Sequence, residues 1–269
     1  MRNVSYWRHA NRLVYVDEQA TPEFWDARWI KEGVPTPVSR RDEVLTVTPR
    51  YLKSGARILE GGCGRANKVK ALAGAGYEAV GIDFGEDTVR QARLHYPDLD
   101  IRKGDVRALE FPDDYFDGYW SIGVIEHFWS GYDQILAEAA RVLKPQGILF
   151  LTAPWFSPYR GRKARRGGYS EIDCTSEPDS FYQFGLGRSE VSAKLKEFGF
   201  QLEEWKGLAS EISIKEDVTE FRGPIEWLFD SKGSIVKRVL RRSITACMNP
   251  FCGHSFLAVA RRAADSAQN

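Results

Sequence analysis

Glu60, Asp83 and Asp105 each stand at the end of a short strand-like segment, and Gly61, Gly62 and Gly64 follow the first of them within four positions. Glycines so spaced reach backbone angles closed to other residues and let a ligand lie directly against the main chain. Carboxylates at the same places accept hydrogen bonds from hydroxyl, amine and ammonium groups. The combination suits an elongated ligand that is hydroxylated and partly cationic. His127, in Val124-Ile-Glu-His127, is the candidate acid-base residue, because imidazole with its ordinary pKa near 6.5 accepts a phenol, hydroxyl or amine proton. The alternative reading is structural, with Glu126 bonding backbone or the imidazole filling a helix start.

Such residues act together only if something gathers them. Arg57-Ile-Leu-Glu-Gly-Gly-Cys-Gly-Arg-Ala66 reads as a buried strand turning sharply into a helix, Tyr77-Glu-Ala-Val-Gly-Ile-Asp83 as a second strand, and Leu99-Asp-Ile-Arg-Lys-Gly-Asp-Val106 as a third. The patterning predicts strands near 57–61, 78–82, 99–103, 116–122 and 147–153, alternating with helices near 66–75, 86–95 and 131–143. A helix near 188–198, a strand near 200–205 and a final edge or penultimate strand at 254–260 complete the pattern. Alternation of this kind implies parallel βαβ units, whose strand carboxyl ends line one crevice. Acids at three successive tips are a repetition that separate helix caps leave unexplained. A dinucleotide fingerprint is disfavoured: Gly62-Cys-Gly64-Arg-Ala-Asn67 brings the third small residue one position early, and Glu60 would repel a pyrophosphate.

Glu60-Gly-Gly-Cys-Gly-Arg-Ala66, Gly81-Ile-Asp83, Gly104-Asp105, Phe116-Asp-Gly-Tyr-Trp-Ser-Ile-Gly-Val-Ile-Glu-His127 and Val142-Leu-Lys-Pro-Gln-Gly-Ile-Leu-Phe-Leu151 together resemble the ordered motifs of class I S-adenosylmethionine-dependent methyltransferases, of the small-molecule type. The resemblance covers roughly 55–206 and a last strand near 254–262, and it implies an α/β, Rossmann-like, seven-stranded, mostly parallel sheet with helices on both faces and an antiparallel last strand. It implies S-adenosyl-L-methionine as cofactor. Glu60 would then face the methionine amino group, with Gly61, Gly62 and Gly64 beside the methionine and ribose. Asp83 would accept from the ribose hydroxyls, Phe84 pack on the adenine, and Asp105 and Val106 meet the adenine amine and a ring nitrogen. Ser121 and Ile122 would border the transferable methyl. Two departures stand out: Ala66 where the family commonly has glycine, and Gly61 where an aliphatic residue is usual. Some relatives bind a divalent metal through a Glu-His pair; no further ligands accompany it here, and no metal is expected.

Composition agrees with a soluble enzyme of one decorated domain, 1–269. Hydrophobic residues make up 43% of 269, enough for a sizeable core, and the net charge of +1 gives no global field toward nucleic acid or membrane. No segment resembles a signal peptide, and no run approaches the roughly 18 apolar residues of a membrane span. Cys63, Cys174, Cys247 and Cys252 show no Cys-x-x-Cys spacing, so a reduced, cytoplasmic protein without structural zinc is expected.

Three segments lie outside the minimal βαβ plan and would set the acceptor. Residues 1–54 are read as an N-terminal helical lid, with Trp25 and Trp29 on one face of a helix opened by Thr21-Pro22; packing in a satellite core is the alternative. Residues 154–187 form a long connection in which Trp155, Tyr159 and Tyr182 would wall the acceptor, while Arg160-Gly-Arg-Lys-Ala-Arg-Arg-Gly-Gly168 would meet its phosphate or carboxylate or remain a solvated loop. Residues 207–253 precede the last strand and include helical stretches at 225–229 and 235–244, the second basic and amphipathic; it is expected to pack on its own domain rather than on lipid. The expected activity is methyl transfer to oxygen or nitrogen of a small or medium-sized acceptor, with RNA or protein modification, or a catalytically silent cofactor-binding partner subunit, as alternatives. The patterning does not specify an oligomeric state.

Overall fold

The chain opens with a hairpin, β1 (Asn3–Trp7) and β2 (Arg12–Val16), followed by helices α1 (Pro22–Glu32) and α2 (Glu43–Tyr51). A βαβ series comes next: β3 (Arg57–Gly61), α3 (Asn67–Gly74), β4 (Glu78–Asp83), α4 (Glu86–His95), β5 (Asp100–Lys103), β6 (Phe116–Ile122), α5 (Asp133–Val142) and β7 (Leu143–Pro154). The remainder comprises α6 (Pro158–Arg165), β8 (Ser170–Ile172), β9 (Phe181–Gly185), α7 (Arg188–Glu197), β10 (Phe200–Leu208), α8 (Ser210–Asp217), α9 (Ile235–Cys252) and β11 (Ser255–Arg262). This computed structural model describes residues 3–173, 176–217, 223 and 235–264. Cys174 and the expected helix at 225–229 lie outside the described residues.

Seven strands form the main sheet in the order β10-β11-β7-β6-β3-β4-β5. The strands from β3 to β7 pair in parallel, and β11 enters antiparallel between β7 and β10, so the last strand is penultimate in space. The βαβ strands read as continuous apolar runs because both faces are covered. Ile58 points to one face, with Val44, Val47, Leu72, Trp120 and Phe150. Leu59 points to the other, with Tyr119, Leu136 and Leu149. Trp120 stacks on Phe150 at 4.4 Å and donates its indole N–H to Thr48 Oγ1 at 3.0 Å, which fixes α2 against the sheet.

A second sheet, ordered β8-β1-β2-β9, joins the start of the chain to the connection after β7. Leu13 pairs with Gly185 and Val14 with Phe184, while Tyr6, Leu13, Tyr15, Phe156 and Tyr182 share one small core. The expectation of a helical lid over 1–54 is therefore corrected: residues 3–16 form a hairpin and only α1 and α2 are helical. Residues 154–187 are likewise no open loop, since they supply α6, β8 and β9. Within α6, Arg160 is 1% exposed and bound to Asp217 at 2.8 Å and Glu216 at 3.2 Å, and Lys163 reaches Asp217 at 3.0 Å. These two cations hold α8 to α6 and are not presented to an acceptor.

Candidate functional site

The turn after β3 owes its shape to its glycines and to β4. Gly62 (φ 73°) and Cys63 both donate their amides to the Ile82 carbonyl, at 2.9 and 2.8 Å. Asp83, at the tip of β4, accepts from the Gly64 amide at 2.8 Å and from the Gly85 amide at 3.0 Å. Burial outweighs those two amides and raises the Asp83 carboxyl above its ordinary range. Ala66 caps α3 at φ 59°, so this departure keeps the left-handed backbone that favours glycine. Gly61 has a specific reason: a Cβ there would fall 2.2 Å from the Tyr119 hydroxyl, which fills the space an aliphatic side chain would take.

A cavity of about 320 Å³ lies at these strand tips. Gly62, Asp83, Phe84, Asp105, Val106 and Ile122 form its floor, and Trp25, Trp29, Glu126, His127, Phe128 and Tyr182 form its wall. Most of the expected ligand residues are thus brought together. Glu60, Gly61, Gly64 and Ser121 are not on the cavity surface. Glu60 and Ser121 are buried with Glu60 Oε2 and Ser121 Oγ lacking hydrogen-bond partners, and a Cβ at Gly64 would meet the Trp29 indole at 3.0 Å. Asp105 is held by Arg107 through contacts of 2.7 to 3.1 Å, which keep its carboxyl below the usual range.

Of the expected acceptor residues, Trp25, Trp29 and Tyr182 share this cavity, whereas Trp155 lines a different one and Tyr159 lines neither. The correction has a topological cause: Trp155 follows the end of β7 toward β10, and the Tyr159 hydroxyl donates to the Asp217 carbonyl at 3.5 Å. Helix α1 is fastened over the glycine turn at two places. Asp26 accepts from the Thr88 amide at 2.8 Å and the Thr88 hydroxyl at 2.6 Å, capping α4, while Arg65 donates to the Glu32, Gly33 and Val34 carbonyls.

His127 sits in the 3-10 turn Ile125–His127 after β6, edge-on to Trp25 at 5.1 Å and Tyr182 at 5.0 Å. Its Nδ1 lies 2.7 Å from the Tyr182 carbonyl oxygen. A carbonyl only accepts, so Nδ1 carries the hydrogen and Nε2 is the ring's basic nitrogen. Glu126, named from the sequence only in the structural alternative for the Glu-His pair, also belongs to the cavity wall. Its burial pushes the carboxyl up to about 8, and Oε2 has no hydrogen-bond partner. Arg107 and Phe128 were missed as well, although Arg107 follows Asp105 at the two-residue spacing of a bidentate clasp. Among the described residues, His, Cys, Asp and Glu nowhere gather in threes positioned to hold a metal ion.

The residues fit an elongated cationic, hydroxylated group. Burial raises the Glu60 carboxyl to about 8 even with Lys68 nearby, and its unpartnered Oε2, off the cavity surface, would accept from an ammonium once a ligand reaches it. Gly62 supplies side-chain-free backbone on the cavity floor, where a Cβ would strike Val124 at 2.5 Å. Each Asp83 oxygen accepts one amide and retains a second lone pair for a hydroxyl.

A family model for a methyltransferase domain matches residues 59–151. A probable S-adenosylmethionine-dependent methyltransferase of Mycolicibacterium smegmatis is 31% identical over 180 residues, 66% of this chain and 64% of that protein. The chain thus spans less than two-thirds of that relative's length. A ubiquinone biosynthesis O-methyltransferase of Xanthomonas euvesicatoria is 28% identical over 196 residues, 70% of this chain and 80% of that protein. The crystal structure of the cyclase SpnF superposes with a TM-score of 0.59 at 19% identity, over 93% of this chain and 99% of that one, a likeness of fold.

Proposed function

We propose that the chain is a class I S-adenosylmethionine-dependent methyltransferase that transfers a methyl group to an oxygen or nitrogen of a small or medium-sized acceptor. The observation that carries this reading is the meeting, in one cavity, of the strand-tip floor with an aromatic wall that includes His127. S-Adenosylmethionine supplies the electrophilic methyl of a sulfonium. The chain's own residues then have three tasks. Glu60, Gly62 and Asp83 hold and orient the cofactor's amino, backbone-contacting and hydroxyl portions. Trp25, Phe128 and Tyr182 exclude water and hold a planar acceptor, which is proximity and orientation catalysis. His127 Nε2 takes the acceptor's proton when one must leave.

An oxygen acceptor has the added support of an O-methyltransferase among the relatives. Of the basic run that supports RNA or protein modification, Arg160 and Lys163 are engaged with Asp217, while Arg165 lines a separate cavity. The fold itself does not decide the chemistry, since it also serves a protein described as a cyclase.

The test has two parts. Calorimetry with S-adenosylhomocysteine on wild type and Asp83→Asn is expected to show affinity lower by about tenfold or more in the variant. Unchanged affinity in a folded variant would remove Asp83 from the ribose site. Incubation with labelled S-adenosylmethionine and panels of phenols, catechols and amines is expected to label at least one class. Cofactor binding without label on any of them would favour the silent-partner reading instead.

A further inference from the structure

A second and larger cavity, about 1020 Å³, opens at the carboxyl ends of β7 and β10. Tyr182 and Gln183 of β9 line the strand-tip cavity, whereas Gly187 to Ser189, just beyond β9, line this one. The two cavities are therefore separate, and the methyl-transfer site uses none of the second.

Its charge is one-sided. Among the described residues, Arg165, Arg188, Lys206, Arg241 and Arg242 line it against one carboxylate, Glu211, whose buried Oε2 has no hydrogen-bond partner. Lys206 is engaged by Glu43 at 2.9 Å. Arg165, Arg188 and Arg242 hold no carboxylate among the described residues, in a chain where arginines such as Arg12, Arg57, Arg102, Arg141 and Arg261 are each paired with one. The Arg188 guanidinium lies over the Trp205 ring, 5.7 Å from its centroid, and the buried Trp205 indole N–H has no acceptor. The first turn of α7 starts here from Gly187, without a side-chain cap, so its free amides add to the same positive end.

Three guanidiniums with no carboxylate partner among the described residues, facing one cavity with a single described carboxylate, favour an anion rich in acceptor oxygens. The guanidinium fork matches phosphate oxygens two at a time, and the Trp155 and Trp205 rings offer cover for a flat or apolar portion beside it. We propose that this cavity binds a phosphate ester. Solvated surface arginines alone would explain the three cations but not their gathering around one cavity beside the Trp155 and Trp205 rings.

The outer face of α9 bears on the source of that phosphate. Arg241 and Arg242 turn into the cavity, while Val239, Leu240, Met248 and Phe251 are 57, 46, 37 and 65% exposed. An apolar helix face outside a guanidinium-lined cavity suits a phospholipid headgroup, with the helix lying in the lipid surface. A soluble phosphate ester offers the same group without the lipid.

Both sources are tested on the full chain. Co-sedimentation is run with vesicles of phosphatidylcholine alone or mixed with phosphatidylglycerol, and calorimetry with inorganic pyrophosphate and soluble dihexanoyl phosphatidylglycerol. The double variant Arg188→Gln/Arg242→Gln is expected to lose about tenfold or more in affinity for whichever phosphate probe binds. Its S-adenosylhomocysteine affinity, read alongside, reports that it is folded; should that be lost, Arg165→Gln on α6 takes its place with the same expected loss. Binding to phosphatidylglycerol vesicles that weakens in Leu240→Ser/Phe251→Ser identifies a lipid source. Pyrophosphate binding with the same arginine dependence and no vesicle binding identifies a soluble one. Absence of binding by every phosphate probe, or equal binding by a folded arginine variant, overturns the proposal.

Discussion

Replacing Glu60 by Gln tests the cofactor site through proton linkage. Burial raises the carboxyl from 4.5 to about 8. Between those values the unfolded chain has lost the proton and the folded chain has kept it, so the slope of unfolding free energy with pH is negative and this group's contribution falls as pH rises. Each pH unit amounts to about 1.4 kcal/mol, which gives about 3 kcal/mol at pH 7 and about 5 above pH 8, as upper values for a site that water can partly relax. Gln cannot ionise and nearly matches the protonated side chain in shape. The ligand-free variant is therefore expected to match wild type near pH 4.5 and to exceed it in stability progressively toward pH 8. Glu126, also raised to about 8, keeps its own share of the slope in the variant. Cofactor binding moves the other way: an ammonium placed against Glu60 drives out its proton, so wild type at pH 7 should release about 0.9 proton on binding and the variant none. Losing a charge-assisted hydrogen bond should weaken S-adenosylhomocysteine binding by about 10- to 150-fold. Urea denaturation across pH 4.5 to 8.5 and calorimetry in buffers of different ionisation enthalpy read both effects. Equal pH slopes in the two proteins, or proton release that survives the substitution, would refute the reasoning.

Two further outcomes follow from other parts of the site. With Nδ1 held by the Tyr182 carbonyl, His127→Gln is expected to lower kcat on a phenolic acceptor by about 100-fold and to remove the acidic limb of its pH profile; an unchanged limb would return His127 to a structural role. Gly61→Ala should cost about 1–3 kcal/mol by overpacking against Tyr119, and adding Tyr119→Leu should recover part of that loss because the clashing ring is gone. Strictly additive effects in that double-mutant cycle, measured by denaturant titration, would show that the two side chains do not compete for the space.

The βαβ core was legible because its signals are local: apolar runs of strand length, glycines at the turn after β3, and acids at the tips of β4 and β5. What was missed depends on partners distant in sequence. Arg12–Val16 becomes a strand by pairing with Phe181–Gly185, and neither segment shows that alone, since β9 is buried along its whole length and does not alternate. The basic run gave the wrong impression for the same reason. Arg160 looks like a surface cation until Asp217 and Glu216 of α8 are brought against it. At the site, composition pointed to the aromatic residues but not to their distribution, so Tyr182 joined His127 while Trp155 went to a separate cavity. Glu126 could not be read as a perturbed acid without knowing how deeply the turn after β6 is buried.

The position of β11 inside the main sheet has a consequence for synthesis. Strand β7 is finished at Pro154, yet the neighbour that covers its outer edge emerges from the ribosome roughly a hundred residues later. Until then the Ile148–Leu151 stretch offers unpaired backbone groups on an apolar strand, the kind of edge that recruits stray chains. Strand β10 is made earlier than β11 but reaches the main sheet only through it, so a nascent chain stalled before Ser255 would hold two orphaned strands rather than one.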